Sequence, residues 1–157
     1  MQDIIARMRT KKDDEGFTLI ELLVVVVIIG VLVAIAVPVY LNYRQGAADK
    51  SAQSDVRGAI STIEQYYTDN GNVYPTTPTG KQVWSATKQS FNLGTATGTT
   101  GLVTLSDKTT MTYVGTDKSY LVCATNGGGS GKVYVYDSTK GGSVSAPTPA
   151  VSIDTCK

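Results

Sequence analysis

The stretch KKDDEGFTLIELLVVVVIIGVLVAIAVPVY, Lys11 to Tyr40, decides how the rest of this 157-residue chain is read. Its centre, Leu22 to Val37, contains no polar side chain, and extending it to Leu41 crosses only Pro38 and Tyr40. Twenty helical residues at about 1.5 Å each span roughly 30 Å, the thickness of a bilayer's hydrocarbon core. No comparable run follows, so one membrane-length segment sits near the N-terminus and everything beyond it lies on one side. Arg7, Arg9, Lys11 and Lys12 precede the run. Positive flanks stay cytoplasmic, while Asp3, Asp13, Asp14 and Glu15 weigh little in that rule. The C-terminal portion is therefore expected outside, where cysteines oxidise. Cys123 and Cys156 suit a bridge there, and closing that loop adds about 3–4 kcal/mol by the chain-entropy model.

Composition narrows the chemistry. Hydrophobic residues make up 41% and charged residues 17%, with 14 basic against 13 acidic side chains and no histidine. The missing imidazole removes the commonest general base and metal ligand. Near-neutral charge argues against a generally basic nucleic-acid binder. Two cysteines are too few for a four-thiolate metal site.

Three features of the junction need one explanation. Gly16 separates a charged leader from Phe17, Glu21 interrupts the start of the apolar run, and Gly30 and Pro38 lie within it. A carboxylate inside a membrane helix costs about 2.5–3.5 kcal/mol on insertion scales, so it calls for a partner. A plain signal anchor would leave Glu21 unexplained. Cleavage after Ala34-Ile35-Ala36 by a signal peptidase would need an overlong apolar stretch and would place Pro38 second in the product. An α-amine made by cutting after Gly16 would supply the missing cation.

Gly16-Phe17-Thr18-Leu19-Ile20-Glu21 resembles the cleavage and methylation motif of type IV prepilins, closely over about residues 10 to 45 and elsewhere in architecture. The resemblance implies that a prepilin peptidase cuts between Gly16 and Phe17 and methylates the new Phe17 amine. Glu21 would then neutralise that amine, within a subunit or on a neighbour, during filament assembly. It also implies that the helix loosens between Gly30 and Pro38 in filaments.

Past Pro38 the apolar pattern becomes one-sided. Ala52, Val56, Ala59/Ile60, Ile63 and Tyr66/Tyr67 recur at steps of three and four, as in an amphipathic helix. Asp49, Asp55, Arg57 and Glu64 fall largely between them. Thr68-Asp69-Asn70-Gly71 is a stop signal, with Gly71 or Asn70 suited to a left-handed cap. A helix from Phe17 to Thr68 is expected. Asp69 to Pro75 (DNGNVYP) resembles the helix-to-loop junction of pilins and of secretion-system pseudopilins. Thr76–Gly80 then reads as a surface loop.

Strands are expected at Gln82–Ala86, Gly101–Leu105, Met111–Val114, Ser119–Ala124 and Lys132–Asp137, the last alternating valine and tyrosine. Asn126–Gly131 (NGGGSG) reads as a flexible hairpin connection. It is not a phosphate loop, because Asn126 stands where the first glycine belongs and Val133 follows Lys132. Gly141–Pro149 reads as loop, tied back through Cys156 to the strand bearing Cys123, similar to the disulfide-bounded loop of pilins. Trp84, Phe91 and the strand tyrosines are expected to fill a core.

The expected fold is α+β: a long N-terminal helix, transmembrane first and amphipathic second, packed on a small antiparallel sheet with a disulfide-closed C-terminal loop. Its parts are a leader at 1–16, a transmembrane and filament-core segment at 17–41, the amphipathic half at 42–68, and a globular domain at 69–157. The resemblance implies a structural subunit of a type IV pilus. It would be a single-pass protein of the cytoplasmic (inner) membrane before assembly and part of an extracellular filament afterwards. Its implied partners are other pilin subunits, prepilin peptidase and the pilus assembly platform, and its implied roles are adhesion, twitching motility or DNA uptake. The alternative is a type II secretion pseudopilin. Such proteins often order their C-terminal loop with calcium, whereas here Asp107, Asp117, Asp137 and Asp154 are dispersed and the cysteines offer another staple. No cofactor, metal or specific nucleic acid is expected. Nor is catalysis: the chain after Gly16 keeps nine acids without an adjacent pair, and its ten Lys/Arg form no cluster.

Overall fold

The computed structural model describes residues 17–76, 82–84, 90–93, 101–147, 149, 151–154 and 156. The expectations for residues 1–16, for most of the Thr76–Gly80 loop and for the side chains of Trp84 and Phe91 lie outside the described residues. Among the described residues, one helix, α1 (Leu19–Asp69), leads into six short strands. These are β1 (Gln82–Trp84), β2 (Ser90–Asn92), β3 (Leu102–Thr104), β4 (Thr109–Gly115), β5 (Tyr120–Asn126) and β6 (Tyr134–Asp137). The chain divides into two compact units after Val39.

In the first unit, α1 carries apolar residues on all sides and none of its most apolar stretch is buried within the chain. It is the one described helix long and apolar enough to cross a membrane. The helix continues through Gly30 and Pro38. Pro38 lacks an N–H, so the Ala34 carbonyl loses its helical donor.

In the second unit, the expected stripe becomes the core. Ala52, Val56, Ala59 and Ile63 pack against Val103, Leu105, Met111, Tyr113, Tyr120, Val122 and Ala124. The sheet is antiparallel, in the order β1-β4-β5-β6. Alternation sends Met111, Tyr113, Tyr120, Val122 and Ala124 toward the helix, while Cys123 joins Val133 and Cys156 in a second cluster. Thr112 donates its hydroxyl to the Ile153 carbonyl at 2.6 Å, fastening the tail there. Cys123 and Cys156 are bridged, with Cα atoms 5.7 Å apart. The β6 edge is closed by the tail: Val135 and Ser145 exchange backbone hydrogen bonds at 2.8 and 3.1 Å.

Several expectations need correction. The strand expected at Met111–Val114 extends to Thr109 and Gly115, and the one expected from Ser119 runs to Asn126. Ser90–Asn92 was not expected as a strand, yet it pairs with β3 in a separate two-stranded sheet. Asp49 and Asp55 do not lie between the buried positions. They are only 6% and 8% exposed, in register with Ala52 and Val56. Each carboxylate accepts from both groups of one serine. Asp49 takes the Ser130 N–H and hydroxyl at 2.9 and 2.5 Å, and Asp55 takes the Ser106 N–H and hydroxyl, both at 2.9 Å. Charged acceptors of this kind repay the desolvation that burial costs.

The Asp49 contact also corrects the flexible reading of Asn126–Gly131. That turn is held by Asp49 at Ser130, by the Asn126 side-chain carbonyl on the Gly128 N–H, and by the Lys108 carbonyl on the Gly127 N–H. A Cβ at Gly129 would collide with the Asp49 carboxylate, so the glycine lets the two approach. The helix stop is as expected: Gly71 adopts φ +71°, and the Asn72 N–H reaches back to the Tyr67 carbonyl at 2.9 Å.

Candidate functional site

The head of α1 is built from Thr18 and Glu21. The Thr18 hydroxyl accepts from the Glu21 N–H at 3.3 Å, while Glu21 Oε2 accepts from the Thr18 N–H at 2.8 Å and the Thr18 hydroxyl at 2.7 Å. This reciprocal pair is a capping box: two backbone donors that the first helical turn leaves orphaned are satisfied locally. The sequence reading missed Thr18 in this role, although Thr-x-x-Glu ahead of an apolar run is its signature.

The cap changes the account of Glu21. The carboxylate already has a partner within its own helix, without any new amine. Only Oε2 is used, and among the described residues Oε1 accepts no hydrogen bond. Thr18 N is the nitrogen next along the backbone from Phe17 N. The carboxylate is thus turned toward the end of the chain that cutting after Gly16 would create. Gly16 lies outside the described residues. Phe17 is 81% exposed.

Beyond the cap, Leu19 through Leu41 present large apolar side chains outward at every turn. Nothing approaches the Cβ position of Gly30 within 4 Å, leaving a small-residue notch on this surface. So wide an apolar face on a single chain marks a surface meant for lipid or for other protein. Phe17 and Glu21 belong to the first unit, and Cys123 and Cys156 to the second. The first pair opens the helix, and the second fastens the C-terminal tail of the other unit.

The second unit contains a tyrosine cluster that the sequence reading placed only as core. The Tyr120 hydroxyl donates to Glu64 Oε1 at 2.7 Å and the Tyr74 hydroxyl to Oε2 at 3.3 Å. The Tyr113 hydroxyl donates to the Pro75 carbonyl at 2.7 Å. Burial pushes the Tyr113 and Tyr120 hydroxyls far above the usual tyrosine range, with the Glu64 bond and charge adding to the effect at Tyr120. These bonds tie the segment after the helix to the helix and sheet. On the opposite sheet face, Asp137 is held below the usual carboxylate range, chiefly by the Thr139 hydroxyl at 2.6 Å. Among the described residues, no three His, Cys, Asp or Glu side chains converge to hold a metal ion.

A family described as a prokaryotic N-terminal methylation motif matches residues 11–37, which include the cap and most of the apolar run. Fimbrial protein EcpC of Eikenella corrodens is 36% identical over 109 residues, covering 64% of this chain and 67% of its own length. Type II secretion system core protein G of Escherichia coli strain K12 is 40% identical over 73 residues, 46% of this chain and 50% of its own. A fimbrial protein of Neisseria meningitidis is 38% identical over 73 residues, 46% of this chain and 42% of its own. The chain thus spans two thirds of the length of the first relative and about half of the other two. No solved structure gives a significant match. The motif at the head of the helix, the bare apolar run and the extended match to a fimbrial protein agree: the chain belongs to the type IV pilin-like family, which is structural rather than enzymatic.

Proposed function

We propose that the chain is a structural subunit of a type IV pilus, made as a membrane-anchored precursor. Prepilin peptidase cuts after Gly16 and methylates Phe17, so that residues 1–16 are a leader. Residues 17–41 dissolve in the membrane before assembly and bury against their counterparts in the filament. The bare apolar face supports this double use, because the same surface suits lipid and suits copies of itself. Residues 42–68 are the amphipathic half of the helix, and 69–157 form the domain outside. Head-to-tail contacts that do not close on themselves generate an open filament. Glu21 then offers Oε1 to the methylated amine while Oε2 keeps the cap, and the Gly30–Pro38 stretch is where the helix loosens.

One observation favours a pilus over a secretion machine. The match to the fimbrial protein takes in 64% of 157 residues, about 100, whereas α1 ends at residue 69. Its likeness therefore extends well into the domain after the helix. The matches to secretion protein G cover 41–46% of the chain, a length that the leader, helix and cap alone suffice to hold. The high identity of those matches supports the second reading, a pseudopilin.

The test is the intact mass of the protein extracted from membranes, combined with imaging of cell surfaces. A mature chain beginning at Phe17 with one added methyl group, present in surface filaments, is the expected result. A chain retaining Gly16 at its processed end refutes the processing. Correct processing with no filament, together with a secretion defect in its absence, selects the pseudopilin.

A further inference from the structure

We propose that an open groove on the domain, beside the first helical turns after the apolar run, seats the headgroup of an anionic membrane phospholipid. The inference rests on the reading of the precursor as membrane-anchored. The groove encloses about 420 Å³ between one face of α1 and two turns of the sheet, within the size range of small-molecule sites. Leu41, Arg44, Gln45 and Ala48 form its helical wall, and Lys108 and Gly128 belong to the opposite one.

Position selects the ligand. Leu41 is the last residue of the apolar run, and Arg44 follows about 4–5 Å further along the helix. For a helix along the bilayer normal that is headgroup depth, since the polar layer adds about 5–7 Å on each side of the hydrocarbon. Tyr40 and Tyr43 are exposed at the same level, where aromatic residues favour the interface. Arg44 lies with its guanidinium 5.8 Å from the centre of the Tyr40 ring.

Charge selects its sign. Arg44 and Lys108 form no ion pair among the described residues, and with Asp107 they leave the groove a net positive charge. Lys108 holds φ +61°, a conformation that favours glycine or asparagine, in the turn closed by the Thr109 N–H on the Ser106 carbonyl at 3.1 Å. The turn is also clamped: Asp55 binds Ser106, and the Asn126 amide donates to the Asp107 carbonyl at 2.9 Å. Arg44 and Lys108, 64 positions apart, therefore line one groove from braced backbone, which lowers the ordering cost of binding.

The test places the full-length chain in bilayers containing equal phosphatidylglycerol and phosphatidylcholine, then counts retained lipids by native mass spectrometry after gentle extraction. Each basic side chain near an anionic surface contributes about a fivefold preference. The wild type is expected to retain phosphatidylglycerol at least fivefold over phosphatidylcholine. The R44Q/K108Q variant, with unchanged near-ultraviolet dichroism, is expected to lose the preference. K50Q/K118Q removes the same charge outside the groove and is expected to keep it. Equal retention by an inserted wild type overturns the proposal, as does loss of preference in K50Q/K118Q. Release of the lipid by millimolar inorganic phosphate would reassign the groove to a free anion and overturn it as well. A chain that does not insert refutes the membrane anchor itself, and the proposal with it.

Discussion

Replacing Asp55 with alanine tests whether buried carboxylates, more than apolar contact alone, hold the sheet's turns to the helix. Asp55 takes two hydrogen bonds from Ser106, both at 2.9 Å, from a position only 8% exposed. Truncation leaves an N–H and a hydroxyl without their charged acceptor. A buried donor stripped of its partner costs about 1–3 kcal/mol. Ser106 is half-buried, so water recovers part of that, and Asp55→Ala is expected to cost about 2–4 kcal/mol. Ser106→Ala removes one of the two donors and is expected to cost about 1 kcal/mol. The pair shares its bonds, so a double-mutant cycle is expected to show about 1–2 kcal/mol of coupling. Asp117, exposed, serves as the control, with its alanine variant within about 0.5 kcal/mol of wild type. The assay is a urea titration of the full chain in detergent micelles, followed by the near-ultraviolet dichroism of the packed tyrosines. Asp55→Ala unfolding within about 0.5 kcal/mol of wild type would refute the reasoning, as would an Asp117 variant of equal cost.

Other expected outcomes rest on separate contacts. Gly115→Ala would drive a Cβ into the Tyr113 hydroxyl and the Pro75 carbonyl, and is expected to cost about 1–3 kcal/mol in the same titration. Replacing Cys123 and Cys156 by serine removes a closed loop of separation 33 and is expected to lower stability by about 3–4 kcal/mol while α1 helicity persists. Loss of far-ultraviolet helical signal in that variant would show that the tail clasp supports the helix too. At high pH, Tyr74, Tyr113, Tyr120 and Tyr134 resist ionisation, mainly because burial disfavours the charged form. Their folded pKa values lie above the unfolded value of about 10. The stabilisation they contribute is therefore complete below that pH and is lost as pH rises beyond it. Unfolding free energy that stays flat through this alkaline window would contradict the packing of these hydroxyls.

Much of the molecule was legible because the informative patterns are local. The apolar run and the Asn70-Gly71 stop each depend on residues within a few positions of one another, so α1 was expected to within two residues at its start and one at its end. The pairing of the cysteines followed from there being only two. The strands were harder. Their ends depend on partners: Thr109 and Asn126 pair across β4 and β5, and asparagine is depleted in strands by its own propensity. Ser90–Asn92 becomes a strand only because Leu102–Thr104 lies beside it.

The sequence alone determined the membrane-length helix, the glycine stop and the stripe facing the sheet, since periodicity and stop signals are written in neighbouring residues. The tertiary structure decided which polar residues are inside. Asp49, Asp55 and Glu64 look like ordinary surface acids in the chain, and each gains a partner from 51 to 81 positions away: Ser130, Ser106 and Tyr120. Whether a carboxylate belongs in a core depends on donors delivered by folding, and no local pattern announces them.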